Sequence, residues 1–567
     1  MEFQRISLGE LLRQAALKWP RNEAVRFLDT TMTYRELDRQ VDGFATALYA
    51  LGLRKGDFAA LLLPNSIQYV IGYYAAARLG AVVSGINTSS KPKEILYHLN
   101  LIKPKALICQ DALYEEKLAP IIREVEIDIL VGTNLADFAP FGKRALAKLL
   151  NRIPSGKIDS VAHKFTDLLK APINPPRVEI DSLAHPATCV LTAGATGTPR
   201  PVMLTHFNCV SNALQCRAWL HESKAGDGNI GILPLFKAFA MTVVMNVSIA
   251  GGGKMILFPE PSSVEDLVPV FTEAGPSSLN MAGNEMLYGK LTDCLDNGSN
   301  HKLKGKLQLC ISGGIGLQKH VRESFEAVSG ARIAEGYGLT EMSPVVSVEQ
   351  FRPDSESRGG TLGLPLPSTE WKIVNETDPS IDLGTGESAE DSDHIGEIAV
   401  TGPQIMKEYL NRRDYTEEVI KEQEGKRWLL TGDMGFMDQS GRVVFMDRKK
   451  QLIRLNGTRV FPKEVEAFLC THPEIVEAAA AGLPDEKNGE LIKAWVVLKE
   501  GSDAGKEDLL SWAAKNGAPH MVPGHVEIRR ELPKSQSGKI LRRMLQEEDP
   551  VWKAAQGKNP FPGKSPA

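Results

Sequence analysis

The sequence predicts an α/β protein: a large domain on buried parallel strands, an antiparallel or barrel-like part, and a small α+β domain behind them. Three observations carry this expectation. Short apolar runs alternate with helix-length stretches early in the chain, turn-bounded strand patterns follow, and from about Leu452 strands and helices become short and closely spaced. At 567 residues the chain exceeds what one hydrophobic core organises, so two or more domains are expected.

Taken in order, FAALLLPNS (58–66), KALICQ (105–110) and IDILVG (127–132) are the buried parallel strands, with crossover helices over Ile67–Leu79 and Pro92–Leu99. Gly360–Val374 and Ile395–Pro403 read as strands of the antiparallel part, and the acidic, Gly/Ser-rich 379–393 stretch as a surface loop. EVEAFLCTHP, VEAAAAGLP, IKAWVVLK and KEDLLSWAAKN then alternate helix and strand in the small domain. The Pro/Gly-rich GKNPFPGKSPA end has no apolar periodicity, and residues 551–567 are expected to be a disordered tail.

Composition excludes several classes. Sixty-six basic against 70 acidic residues leave a net charge of −4, so no global field recommends nucleic acid as a partner. The seven cysteines are scattered without a C-x-x-C pair, which argues for reduced structural thiols rather than disulfides or zinc. Charges throughout MEFQRISLGELLRQAALKW leave no signal-peptide core, giving a cytoplasmic expectation. No apolar run approaches the roughly 20 residues that span a bilayer. Membrane contact would be peripheral, through FGKRALAKLLNRIPSGK (141–157), where Leu146, Leu149, Leu150 and Ile153 fall at helical spacing among lysines and arginines; an ordinary surface helix reads the same way.

Four segments carry chemistry. In LTAGATGTPRPVMLTH (191–206), Gly194 and Gly197 let backbone N–H groups approach an anion, Thr192, Thr196 and Thr198 add hydroxyls, and Arg200 adds charge. The spacing is not that of a Walker loop, and alone it fits an ordinary Gly/Thr turn equally well. In EGYGLTEMSP (335–344), Tyr337 between two glycines can stack a purine, and Glu341 can hold magnesium bridging phosphates; a plain strand end is the alternative. In the segment 429–466, Asp433 in a TGD turn can accept from ribose hydroxyls with Arg448 in support, although DRKK is by default a solvated surface. In ELPKSQSGKILRRML (531–545), Lys539 stands on a small-residue turn able to swing as a point charge.

Together and in this order, the four segments resemble the adenylate-forming superfamily of acyl-CoA synthetases, luciferases and peptide-synthetase adenylation domains. The likeness runs from TYRELDRQVDGFATAL (33–48) to about Leu545, and is nearest to bacterial long-chain fatty-acid-CoA ligases through LPLFKAFAMT, GGIGLQ, EGYGLTE, GLPLPSTE, MDRKKQLI and LPKSQSGKILRR. It implies a large AMP-binding domain (1–449) with two β/α layers and a small β-barrel part, then a small mobile domain (450–550) that rotates between two steps. The steps are acyl-AMP formation from a fatty acid and ATP with Mg2+, then thioester formation with CoA.

By matching position the resemblance assigns Thr192, Thr196 and Arg200 to phosphates, Gly313, Gly314 and Tyr337 to adenine, with Gly338 beside them, and Thr340 and Glu341 to the α-phosphate and magnesium. Asp433 and Arg448 take the ribose, Lys450 the hinge, and Lys539 bridges carboxylate and α-phosphate. Gly457 leaves room for pantetheine, and the acyl tunnel starts near Phe236, Phe239, Ala240 and Met342. A homodimer is a further expectation.

The sequence departs from the family pattern at Ala193, Ala195, Arg200 and Pro201, where a hydroxyl is lost and a proline is expected to stiffen the loop. Lys237 replaces a usual histidine, and is expected to pair with the substrate carboxylate or a polar group on an unusual acyl chain, or else to point to solvent. Gln451 and Arg459 replace a common aspartate and asparagine near the hinge and CoA entrance. The alternatives are a ligase for a shorter or cyclic acid, one that stops at acyl-AMP, or a catalytically impaired acyl- or nucleotide-binding homologue.

Overall fold

Alternation along the apolar runs decides how the large domain is layered. In the Phe58–Leu62 strand, Ala59 and Leu61 join one core while Ala60 and Leu62 join another on the opposite face. A computed structural model describes the chain except residues 1, 140–152, 160–161, 193–198, 221–222, 260–263, 268–278, 297–305, 315, 351–358, 389–390, 456–457, 486–488, 535–539 and 557–567.

The strands expected at 58–66, 105–110 and 127–132 form consecutive parallel members of an 8-stranded sheet. A second, 9-stranded sheet is parallel through most of its width, including Leu307–Gly313 against Arg332–Gly338. One core fills the space between the sheets; two others cover their outer faces with helices such as Pro92–Ile102 on one and Glu285–Asp296 and Lys319–Ser329 on the other. The helix Ile67–Arg78 lies in the central layer and is buried on nearly every side, as its almost uninterrupted apolar sequence requires.

The antiparallel part is a 5-stranded sheet in which the long strand Lys426–Met437 pairs with three neighbours. The last 5-stranded sheet begins at Ile453 and repeats the alternation: Ala478 and Ala480 face the Pro462–Leu469 and Lys506–Asn516 helices, while Ala479 and Ala481 face the chain's end. That end corrects the expected tail. Pro550–Gln556 is a helix, because Asp549 Oδ1 accepts from the Val551 N–H at 2.8 Å and Trp552 packs against the Trp495–Leu545 cluster. Residues 557–567 lie outside the described residues.

Most of the proposed membrane helix also lies outside them, but Ile153 is half-buried against the central core in a non-helical bend, so the helical spacing does not reach it. Among the described residues no helix is long and apolar enough to cross a membrane. Five cysteines are buried, and desolvation pushes the Cys189, Cys209 and Cys216 thiols up to about 12, which keeps them unreactive.

Two buried histidines give a pH prediction. His98 Nε2 lies 2.8 Å from Ser84 Oγ, and His206 Nδ1 accepts from the Leu8 N–H at 3.2 Å. Burial pushes them down to about 4 and about 3, so both are neutral when folded. The unfolded chain takes up these protons first, so stability falls as pH drops from about 6.5 toward 4. Urea unfolding at pH 5 against pH 7 is expected to show a loss of about 2 kcal/mol per histidine. A flat profile would refute the assignment.

Candidate active site

Three of the four chemical segments converge at the carboxyl ends of the strands Leu307–Gly313 and Arg332–Gly338, the side of a parallel sheet where ligands bind. Asp433 and Arg448 face each other across the antiparallel pair Lys426–Met437 and Val443–Arg448, with Arg448 Nε 2.7 Å from Asp433 Oδ1. Tyr337, from the other sheet, donates its hydroxyl to Asp433 Oδ2 at 2.7 Å. Burial, and then the Asp433 charge, drive the Tyr337 phenol well above its ordinary pKa, so it stays a donor. Asp433 does not stand in a tight turn, as expected, but inside a long strand. Gly432, with φ +72, bends that strand, and the Asp433 N–H donates to Thr431 Oγ1 at 3.1 Å.

Of the Gly/Thr loop only the ends are described; Gly194, Thr196 and Gly197 lie outside the described residues, as do Ala193 and Ala195. Its base is closed by a reciprocal pair: the Thr192 N–H donates to the Arg200 carbonyl and the Arg200 N–H to Thr192 Oγ1, both at 2.9 Å. Pro201, expected to stiffen the loop, instead opens the strand Pro201–Thr205, a position where a missing N–H is tolerated.

Arg200 and Glu341 meet through a residue that the sequence reading passed over. Tyr409 donates its hydroxyl to Glu341 Oε1 at 2.7 Å, and the Arg200 guanidinium lies 5.5 Å from the Tyr409 ring centre. Arg200 stacks on Tyr415 at 4.3 Å, and Arg412 covers the same ring at 3.5 Å. The signal was the alternation of rings and guanidinium groups in EYLNRRDY. Thr340 opens the short 3-10 turn Thr340–Met342 beside Glu341.

The Gly313–Gly314 end of its strand also adjoins the expected acyl region. A methyl built on Gly313 would lie 2.8 Å from the Phe239 ring, so the ring rests on bare backbone. Phe236 similarly packs against Gly85. Ala240 and Met342 are buried, and Thr242 Oγ1 ties their segments together by donating to the Ser343 carbonyl at 2.6 Å. Val243 and Ile311, from the segments that carry Phe239 and Gly313, line a small apolar cavity together with Cys216, Trp219 and Val348 among others. Lys237 is exposed as a residue, while partial desolvation lowers its ammonium below the ordinary lysine value.

Sequence reading also missed the support under GGIGLQ. Buried Arg322 reaches Glu335 at 2.6 Å and Glu349 at 2.9 Å, and Glu335 Oε2 accepts from the Leu317 N–H at 3.1 Å. Three residues of DRKK are not solvated surface: Asp447 is buried, Arg448 holds Asp433, and Lys449 holds Glu397 at 2.7 Å, leaving Lys450 exposed in the turn Lys449–Gln451. Gln451 accepts from Arg542 at 2.6 Å, and Arg459 donates to the Ile395 carbonyl at 3.2 Å. Gly457 and Lys539 lie outside the described residues.

Among the described residues no group of three or more acidic, histidine or cysteine side chains could hold a metal alone. Glu341, with Oε1 held by Tyr409, fits a cation carried mainly by substrate phosphates, the usual manner of magnesium.

This architecture and the joined motifs define an adenylate-forming enzyme, and the CoA ligases of that class use ATP and CoA. The model for AMP-binding enzymes matches residues 12–410, and that for their C-terminal domain residues 464–539. A long-chain-fatty-acid–CoA ligase of Bacillus subtilis is 35% identical over 556 residues, covering 96% of this chain and 94% of its own. One from Salmonella typhimurium is 32% identical over 555 residues, with the same coverages. ATP-bound MatB from Rhodopseudomonas palustris superposes with TM-score 0.76 at 24% identity, over 96% of this chain and 99% of its own. The chain belongs to the AMP-binding enzyme family, among its AMP-forming acid–thiol ligases.

Proposed function

We propose that the protein is a fatty acyl-CoA ligase for long or medium chains. The observation that carries this reading is the Tyr337–Asp433–Arg448 junction, with Glu341 and the loop base nearby. The names of the bacterial relatives support the acyl class.

In the first step a carboxylate oxygen bonds to the α-phosphorus of ATP, the bond to the β-phosphate breaks, and pyrophosphate leaves. Tyr337, Gly313, Gly314 and Gly338 frame adenine, and Asp433 and Arg448 accept and support the ribose. Thr192, Gly194, Thr196, Gly197 and Arg200 hold the phosphates, Thr340 serves the α-phosphate, and Lys539 stabilises charge between the two anions. Bound Mg2+, held at Glu341, would neutralise phosphate charge. In the second step the CoA thiolate attacks the acyl carbon and AMP leaves, after the domain beyond Lys450 has turned to bring Gly457 to the site. Phe236, Phe239, Ala240 and Met342 open the acyl path, and Lys237 stands at its mouth.

ATP–pyrophosphate exchange over a panel of acids, with CoA-dependent thioester formation beside it, tests the reading. Activity is expected on medium or long chains in both assays. No exchange with any acid would favour an impaired binding protein, and preference for short or cyclic acids a different ligase. The domain division at 449/450, a cytoplasmic address, peripheral membrane contact through 141–157 and a homodimer complete the proposal; salt-sensitive liposome pelleting and light scattering test the last two.

A further inference from the structure

Tyr409 stands between two oppositely charged groups that have different duties in the proposed ATP site. Its hydroxyl donates to Glu341 Oε1 at 2.7 Å, and the Arg200 guanidinium lies 5.5 Å from its ring centre. A carboxylate and a guanidinium that share one neighbour are free to pair with each other once that neighbour is lost, which would take Glu341 from a cation and Arg200 from phosphate. Several features fix Tyr409 in the intervening place. It is 3% exposed, and its strand Glu408–Tyr409 pairs with the strand that leaves the Gly/Thr loop, opposite Val202. Its N–H donates to Thr416 Oγ1 at 3.0 Å, and the next N–H, of Leu410, donates to the Pro201 carbonyl at 2.9 Å. Arg200 is drawn the other way, onto Tyr415 at 4.3 Å, a ring whose opposite contact is Arg412 at 3.5 Å.

We infer that Tyr409 is a positioning residue that keeps Arg200 and Glu341 from pairing with each other, turning Glu341 toward the cation and freeing Arg200 for the phosphates of ATP. The inference rests on the proposed role of Glu341. It makes no demand on Tyr409 to touch substrate. Its signature is the coupling between Mg2+ and ATP, meaning the factor by which Mg2+ tightens ATP binding, rather than activity.

The test is calorimetric titration of ATP, with and without Mg2+, into the wild-type protein, Tyr409→Phe, Glu341→Gln and the double variant. Tyr409→Phe keeps the ring and loses the donor; it is expected to cut the Mg2+ enhancement about fivefold, the scale of one typical net hydrogen bond. Glu341→Gln is expected to remove most of the enhancement, and Tyr409→Phe to have no further effect in that background, whereas a purely structural role would persist there. If Glu341→Gln reduces the coupling and Tyr409→Phe does not, or if the two effects add in full, the role of Tyr409 is overturned and that of Glu341 stands. If Glu341→Gln leaves the coupling intact, both fall. Tyr415→Leu is a second probe that spares the Tyr409 hydroxyl. It is expected to weaken ATP about threefold equally with and without Mg2+, and a Mg2+-dependent change there would count against the separation of duties.

Discussion

Replacing Lys539 with alanine is expected to abolish adenylation while leaving the second half-reaction close to wild type. The reason is electrostatic. A carboxylate and an α-phosphate repel each other as they approach, and in the proposed step a single lysine cation offsets the charge that builds between them. Removing one such group from a preorganised site lowers the rate by about 10²–10³-fold. Thioester formation starts from a neutral acyl carbon and an AMP leaving group and, in the proposed cycle, takes place after the domain carrying Lys539 has turned. ATP–pyrophosphate exchange should therefore collapse in Lys539→Ala, while synthetic acyl-AMP and CoA still yield thioester. Equal loss in both assays would refute this division of labour.

The second large effect is expected at Asp433. Its carboxyl is almost fully buried and already serves Tyr337 and Arg448, so Asp433→Ala strands a phenol and leaves a guanidinium without its partner. Arg448 keeps solvent contact, which moderates the stability cost to about 2 kcal/mol. Nucleotide binding should suffer more. Two charge-assisted hydrogen bonds to ribose are worth about 1.5–3 kcal/mol each, so KM for ATP should rise by about 10²-fold or more. KM for the fatty acid is expected to change little. Asp433→Asn, which keeps one acceptor oxygen, should fall between. An Asp433→Ala enzyme with unaltered KM for ATP would remove the ribose from this part of the site.

Much of this was legible in the sequence because the relevant signals are local. Strands buried on both faces must be apolar throughout, so Phe58–Leu62 and Ala106–Gln110 announce themselves. The ordered motifs around Tyr337, Asp433 and Arg448 suffice to place them in one site, and they hydrogen-bond or pair directly. Tyr409 was missed because its meaning is non-local: the rings and guanidinium groups of EYLNRRDY do not say which distant charges they meet until the fold sets Tyr409 beside residues 200 and 341. The same holds for Arg322, Glu335 and Glu349, ordinary charges in sequence and a buried cluster in space. Pro201 misled for a related reason, since a proline reads as loop until its strand partner Leu191 is known. The helix at Pro550–Gln556 was hidden by Pro/Gly-rich neighbours, its anchor being Trp552 on a distant core.

The contact between Phe239 and Gly313 gives the protein a one-way adaptability. Position 239 can shed bulk without disturbing the strand, since a smaller side chain there only withdraws from the bare Gly313 backbone. Position 313 has no corresponding freedom, because its first added carbon would already meet the ring. In the proposed acyl path, a lineage carrying this pair would therefore broaden the acids it accepts by one substitution. Narrowing from the nucleotide side requires two changes at once, so its substrate range should drift outward more readily than it returns.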